Sequence, residues 1–340
     1  MARAELLKKL FASYNRGDEF RAVAMQIIKE EEKKNNLGLA SSLRKLLESA
    51  SARPSNKSGN GNGAHPLHIL PQERDKRAAL IEPVEPNRRR SELVLNRQNE
   101  RLLSGLVEEY RRGDAIRRHG LQVRSKLLFC GPPGCGKTLC AEVFANEVKL
   151  PLLVARFDVL VSSYLGETSG NLRRVFDFAA EHSSVLLLDE FDAVARSRDD
   201  ETEHGELKRV VNALLQLIDR YNGSGFVIAA TNYEGRLDSA IWRRFDEVVY
   251  FDKPTLEEIG TLLSIKLKNF PIEFDRASKA HLMEGLTHAE IERVCFNAIK
   301  QTILKDRDRI SGPTFDRALE VEKQRRSVVE HLNTTHRASE

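Results

Sequence analysis

The sequence predicts an α/β fold: a parallel sheet covered by helices on both faces, a helical lid after it and a small helical module before it. Three observations carry this. A glycine loop, Gly131-Pro132-Pro133-Gly134-Cys135-Gly136-Lys137-Thr138, stands between a strand pattern and a helix pattern. Short apolar runs and helical patterns then alternate as far as Phe251, as a parallel sheet with crossover helices requires. From Pro254 onward the strand signals stop and only helical patterns continue.

The chain has 340 residues, of which 41% are hydrophobic and 31% charged, enough apolar material for a proper core. No apolar run approaches the roughly 18 residues a membrane span needs. The start, Met1-Ala2-Arg3-Ala4-Glu5, has no signal-peptide apolar region. Four cysteines are too few for a disulfide framework, which fits a reducing cytoplasm. Cys130, Cys135 and Cys140 fall on strand, loop and helix, so a shared metal is not expected. The net charge of +4 is mild. The basic runs Arg88-Arg89-Arg90, Arg111-Arg112 and Arg117-Arg118 read as solvated faces, which argues against nucleic acid as a partner.

Taken in order, residues 1–50 read as a helical module with apolar faces through Leu6, Leu7, Leu10 and Phe11, then Phe20, Val23 and Ile27, then Leu39, Leu43 and Leu46. It carries no chemistry and reads as an adaptor or as a stabilising cap. Residues 51–91 read as a linker. Ser51 to His65 is rich in Ser, Asn, Gly and Pro, and 66–95, with prolines at 66, 71, 83 and 86, reads as irregular. Residues 92–253 read as one α/β domain built around the glycine loop. A helix is expected from about Arg97 to Arg112. Strands are expected at 126–130, 152–157, 184–188, 226–230 and 247–251, and helices at 138–148, 168–181, 206–221 and 238–242. Residues 254–330 read as a lid of about four helices. Thr255-Leu256-Glu257-Glu258 and Thr287-His288-Ala289-Glu290 each fit a capping box that opens a helix. Residues 331–340 read as a frayed tail.

The glycine loop fits the phosphate-binding pattern G-x-x-x-x-G-K-[ST]. Its glycines let backbone N–H groups curl around anionic oxygens, and the helix start adds its positive end. The cofactor-binding stretch is Gly131, Pro132, Pro133, Gly134, Cys135, Gly136, Lys137, Thr138 and Leu139. Lys137 supplies a mobile charge for the β- and γ-phosphates of ATP, and Thr138 a hydroxyl for Mg²⁺. Val185-Leu186-Leu187-Leu188-Asp189-Glu190 is an apolar strand that delivers two acids at its end. Asp189 suits the metal's water shell, and Glu190 suits orienting and polarising the attacking water. Asn232, at the tip of the next strand, is a neutral amide able to touch the γ-phosphate and the water. Arg243 and Arg244 suit a guanidinium presented to another subunit's γ-phosphate, and the segment leaves open which of the two acts.

These motifs together resemble the AAA ATPases, within the wider AAA+ group, over roughly residues 92–310. The resemblance implies a P-loop NTPase module with a five-stranded parallel sheet, a helical lid, ATP with Mg²⁺, and usually a hexameric ring of identical chains. Ser163-Tyr164-Leu165-Gly166-Glu167 is similar to the family's pore loop, so Tyr164 and Leu165 are carried over as residues that grip threaded polypeptide. Asp199 to His204 resembles a second pore loop less specifically. Gly285 to Ile291 is similar to the lid segment against adenine, which gives His288 and Ala289 as base contacts, although His288 stands where the family usually has glycine. No lid arginine sensor is assigned, and Arg293 reads as a surface residue. The arginine segment lacks a Pro-Gly insertion, as in katanin- and spastin-like members. The N-terminal layout resembles stand-alone bacterial AAA ATPases often encoded beside a subtilisin-like serine protease, which implies such a protease as partner. The chain itself carries neither a zinc-protease motif nor a Gly-x-Ser-x-Gly elbow.

The leading reading is ATP hydrolysis coupled to unfolding or remodelling of polypeptide in a cytoplasmic ring. The alternatives are an ATP-switched scaffold that controls a partner protein and, behind it, a nucleic-acid loader. The Asn56-Lys57 pair lies in the linker without the acid that reads guanine, so ATP is preferred over GTP.

Overall fold

The computed structural model describes residues 79–157, 160, 168–191, 205–232 and 239–337. All of these belong to the second of two compact units, Met1–Gly63 and Ala64–Glu340. The expected helical module at 1–50, Tyr164 and Leu165, and the acidic run Asp199 to His204 lie outside the described residues.

One six-stranded sheet organises the second unit, in the order β1-β3-β4-β5-β2-β6. The strands are β1 (Ile81–Val84), β2 (Lys126–Cys130), β3 (Leu152–Ala155), β4 (Val185–Leu188), β5 (Phe226–Thr231) and β6 (Glu247–Tyr250). β2 to β6 run parallel, as expected. The sequence reading needs correction at β1. The stretch 66–95, read as irregular because of its prolines, contains this strand, antiparallel to β3 with Ile81 opposite Ala155 and Val84 opposite Leu152. β1 is an edge strand, where a residue without an N–H is tolerated, so Pro83 does not exclude it.

Continuous apolar runs form the central strands because both faces are covered. Along β2, Leu128 faces one core with Leu153, Leu186, Leu188 and Val227. Leu127 and Phe129 face the other with Leu187, Ile228 and Ala230. The first core is closed by α4 (Thr168–Glu181) and α5 (Gly205–Arg220), the second by α1 (Arg97–Arg111) and α3 (Lys137–Val148). A short helix α2 (Gly113–Arg118) follows α1, and α6 (Ser239–Trp242) packs on the first core through Ile241 and Trp242. Each buried Leu or Phe contributes about 1.5–3 kcal/mol.

The lid consists of α7 (Leu256–Lys266), α8 (Arg276–Leu282), α9 (His288–Ile303) and α10 (Gly312–Arg337) around a third core that includes Leu263, Met283, Val294 and Phe315. Both expected capping boxes form. Thr255 and Glu258 exchange backbone–side-chain bonds at the start of α7. Thr287 and Glu290 do the same at the start of α9. A second correction concerns the tail: α10 continues to Arg337, past residue 330. The basic runs are paired with acids, as in Arg88–Glu92, Arg112–Glu108 and Arg117–Asp114. Among the described residues, no helix is long and apolar enough to cross a membrane.

Candidate active site

Strand register brings the site together. Cys130 of β2 lies opposite Thr231 of β5, and Leu188 of β4 lies opposite Ala229. Gly131, Asp189 and Asn232 therefore leave neighbouring strands at one edge of the sheet. Residues 43 to 101 positions apart in sequence converge because parallel strands all end on the same side.

The loop at that edge can only be glycine where it is glycine. Gly131 has φ +136°, and a Cβ there would stand 2.0 Å from the Phe251 carbonyl oxygen. Gly134 and Gly136 have φ +76° and +93°, in the left-handed region that side chains disfavour. Lys137, the first residue of α3, is buried, and its ammonium donates to the carbonyls of Gly131 at 2.7 Å and Pro132 at 2.9 Å. The ammonium is thereby held inside the curl of the loop.

Across the loop, the Thr138 hydroxyl donates to Asp189 Oδ2 at 2.8 Å. Asp189 Oδ1 accepts from the Glu190 amide at 2.9 Å. A hydroxyl and one carboxylate in contact are hard oxygen donors, the set that suits Mg²⁺ shared with phosphate oxygens. Glu190 is exposed and has φ +53°, a conformation that costs a non-glycine residue on the order of 1–3 kcal/mol. This backbone turns Glu190 away from the strand line while Asp189 continues it.

Asn232 is half-buried, one residue beyond β5. Arg243 and Arg244 stand elsewhere. Asp246 just after them donates its amide to the Lys126 carbonyl, at the first residue of β2. They lie at the edge of the sheet opposite the phosphate loop, separated from it by the length of β2, about 16 Å at roughly 3.3 Å per residue. Arg244 Nε donates to Asp219 Oδ2 at 3.0 Å, whereas Arg243 is exposed.

The start of α9 closes the other side. The Ala289 amide donates to the Gly134 carbonyl at 3.0 Å. A Cβ on Gly134 would stand 3.1 Å from Thr287 Oγ1 and 3.2 Å from Ala289 Cβ. His288 lines a cavity of about 150 Å³ with Val94, Asn96, Asn99, Phe251 and Glu258. Its Nδ1 is buried without a hydrogen-bond partner among the described residues. Burial lowers the imidazole pKa, and the charge of Glu258 opposes that shift. Burial also pushes the Cys135 thiol up to about 11 and Cys140 to about 12, so neither is a thiolate at neutral pH.

The sequence reading missed three contributors. Thr287 was read only as a cap, but it also packs on Gly134. Arg326 donates to the Gly285 carbonyl at 3.0 Å, tying α10 to the turn before α9. Arg293, read as a surface residue, forms a two-pronged pair with the buried Glu322, at 2.7 to 3.2 Å. In sequence, only the i+3 and i+4 spacing of charges along α10 hints at the last two.

Comparison with known proteins is consistent with this geometry. The family described as "ATPase family associated with various cellular activities (AAA)" matches residues 127–253. An uncharacterized AAA family ATPase of Sinorhizobium fredii is 54% identical over 327 residues, covering 96% of this chain and 97% of that protein. A proteasome-activating nucleotidase of Methanocaldococcus jannaschii is 30% identical over 288 residues, 80% of this chain and 66% of its own length. A cell division cycle protein 48 homolog of Archaeoglobus fulgidus is 32% identical over 243 residues, 69% of this chain and 32% of its own length.

Proposed function

We propose that this chain, which belongs to the AAA family of ATPases and hydrolyses ATP, uses that hydrolysis to remodel or unfold polypeptide within a ring of its own copies. One observation carries the ring. The phosphate loop and the Arg243-Arg244 segment lie at opposite edges of one sheet, so no arginine of the segment serves its own chain's nucleotide. A neighbouring copy supplies the missing positive charge.

Within one chain the roles divide as follows. Lys137 and the amides at the start of α3 hold the phosphates. Thr138 and Asp189 would hold Mg²⁺, which when bound neutralises charge on the phosphate oxygens. Glu190 orients the attacking water and takes up its proton, and Asn232 contacts the terminal phosphate. His288 and Ala289 flank the adenine. Phosphoryl transfer depends mostly on positioning and charge stabilisation, which this division supplies.

Tyr164 and Leu165 grip the polypeptide as it passes the ring. The names of the two archaeal relatives, a proteasome-activating nucleotidase and a cell division cycle protein 48 homolog, support a remodelling role. A subtilisin-like serine protease is the first partner to test.

The test is the size of the Glu190→Gln protein with and without ATP and Mg²⁺. A larger assembly, commonly a hexamer in this family, is expected only with ATP; a monomer under both conditions refutes the shared site. Tyr164→Ala is expected to abolish unfolding of a tagged substrate while ATP hydrolysis continues. Should unfolding survive that substitution, threading past Tyr164 is refuted; partner binding that tracks the ATP state, with no ATP-dependent unfolding by the parent, would favour the ATP-switched scaffold instead.

A further inference from the structure

The start of α9 touches the phosphate loop, so the turn that leads into it bears on the nucleotide site. That turn runs from the end of α8 at Leu282 through Met283, Glu284, Gly285 and Leu286 to the cap Thr287. Gly285 has φ +80°, and a Cβ there would meet nothing within 4 Å, so backbone conformation and not space calls for glycine. The planar peptide that joins Gly285 to Leu286 is held on both sides. The Leu286 amide donates to the Met283 carbonyl at 3.1 Å, and the Gly285 carbonyl accepts from Arg326 Nη1 at 3.0 Å. Leu286 is 2% exposed in the lid core, and it alone stands between Gly285 and Thr287 in sequence. Thr287 caps α9 and packs on Gly134, and the Ala289 amide donates to the Gly134 carbonyl at 3.0 Å. A short series of contacts therefore runs from α10 to the phosphate loop.

Arg326 is braced for this contact. Its Nε donates to Glu330 Oε1 at 2.8 Å, one turn further along α10, while Nη1 donates to the turn. A guanidinium holds these donors in one rigid plane, so one bond orients the other. The hydrogen bond to Glu330 raises the Arg326 pKa against its desolvation, and the Glu290 charge adds to the rise. Glu290 closes the capping box of α9, so the same cation also acts on the cap. The neighbouring Arg325 is placed differently. It reaches Glu322 at 3.3 Å and forms no bond to the turn among the described residues.

We propose that Arg326 is a positioning residue for ATP: by holding the Gly285 carbonyl it fixes the start of α9 against the phosphate loop and so strengthens nucleotide binding. It acts through Gly285, Thr287 and Ala289 and not on the nucleotide itself. The inference rests on the reading that the loop from Gly131 to Thr138 holds the phosphates of ATP.

The test is titration of the full chain with a non-hydrolysable ATP analogue and Mg²⁺, with steady-state ATPase assays beside it. Arg326→Gln is expected to raise the Kd for the analogue and the KM for ATP by about tenfold, the lower end for a charged hydrogen bond because the Arg326 side chain is 34% exposed. Its kcat at saturating ATP should stay within about threefold of the parent, the pattern of binding lost equally from ground and transition states. Arg325→Gln makes the same change of charge one residue away and is expected to bind the analogue within about twofold of the parent. Each variant loses partly exposed contacts and should remain folded, as read by its melting temperature. The proposal is overturned if Arg326→Gln binds as tightly as the parent, if Arg325→Gln weakens binding as much, or if the loss falls on kcat with KM unchanged. A parent chain that binds no analogue would instead refute the phosphate-loop reading, and the proposal with it.

Discussion

Arg243 and Arg244 are adjacent and chemically identical, yet the structure gives them different surroundings. Arg244 is 27% exposed and paired with Asp219 of its own chain at 3.0 Å. Arg243 is exposed and forms no ion pair among the described residues. Arg243→Ala is therefore expected to lower kcat by about 10³ to 10⁵, the usual worth of an arginine finger. At 1.36 kcal/mol per decade, this is about 4–7 kcal/mol of transition-state stabilisation. Arg244→Ala removes an ion pair whose Asp219 partner is 46% exposed. Such a pair contributes about 0.2–1 kcal/mol, so the melting temperature should fall by about 1–2 °C, with kcat within tenfold of the parent. Steady-state ATPase assays read both effects. Mixing then tests where the arginine acts. Arg243→Ala subunits keep Glu190, and Glu190→Gln subunits keep Arg243, so a mixed ring contains complete sites. Each variant alone should be nearly inactive and the mixture should regain activity. Retention of more than a tenth of parental kcat by Arg243→Ala, or no recovery on mixing, would refute the reasoning.

Three further outcomes are expected. Gly131→Ala puts a Cβ 2.0 Å from the Phe251 carbonyl at φ +136°, and should cost more than about 3 kcal/mol and abolish nucleotide binding, as read by urea unfolding and nucleotide titration. Glu322→Ala leaves Arg293 without its buried partner. Because the Arg293 side chain is 39% exposed and stays hydrated, the cost should be about 2 kcal/mol, below the 3–5 kcal/mol of a fully buried pair, seen as a melting temperature lower by about 4 °C. Burial holds the His288 pKa below its unfolded value of about 6.5, so the unfolded chain takes up more protons between the two values. The contribution is complete above about pH 6.5 and is lost as pH falls through the folded pKa; His288→Gln should flatten the stability profile over that window.

Features with a local cause were legible in the sequence. The loop glycines are demanded by backbone conformation alone, and the two Thr-x-x-Glu boxes by orphan amides at helix starts. β4 and β5 are buried throughout, and all but Thr231 at the tip of β5 is apolar because neither face meets water. What escaped depends on partners far along the chain. β1 exists because β3 offers it an edge, and nothing between residues 81 and 84 announces that. Asp219 distinguishes the two arginines from 25 positions away.

The contact between lid and phosphate loop also has a consequence for the cradle itself. The Gly134 carbonyl points at the Ala289 amide. A trans peptide is planar, so its C=O and N–H point in opposite directions. The N–H in that same plane belongs to Cys135, and it is therefore directed away from the Ala289 amide. The lid thus sets the orientation of one amide of the phosphate loop through one backbone bond. Arg326 and the Arg293–Glu322 pair in turn fix α10 to the same end of α9. A displacement of the lid that breaks this bond is expected to free that peptide plane to rotate, so Ala289→Pro, which removes the donor, should weaken ATP binding in a nucleotide titration.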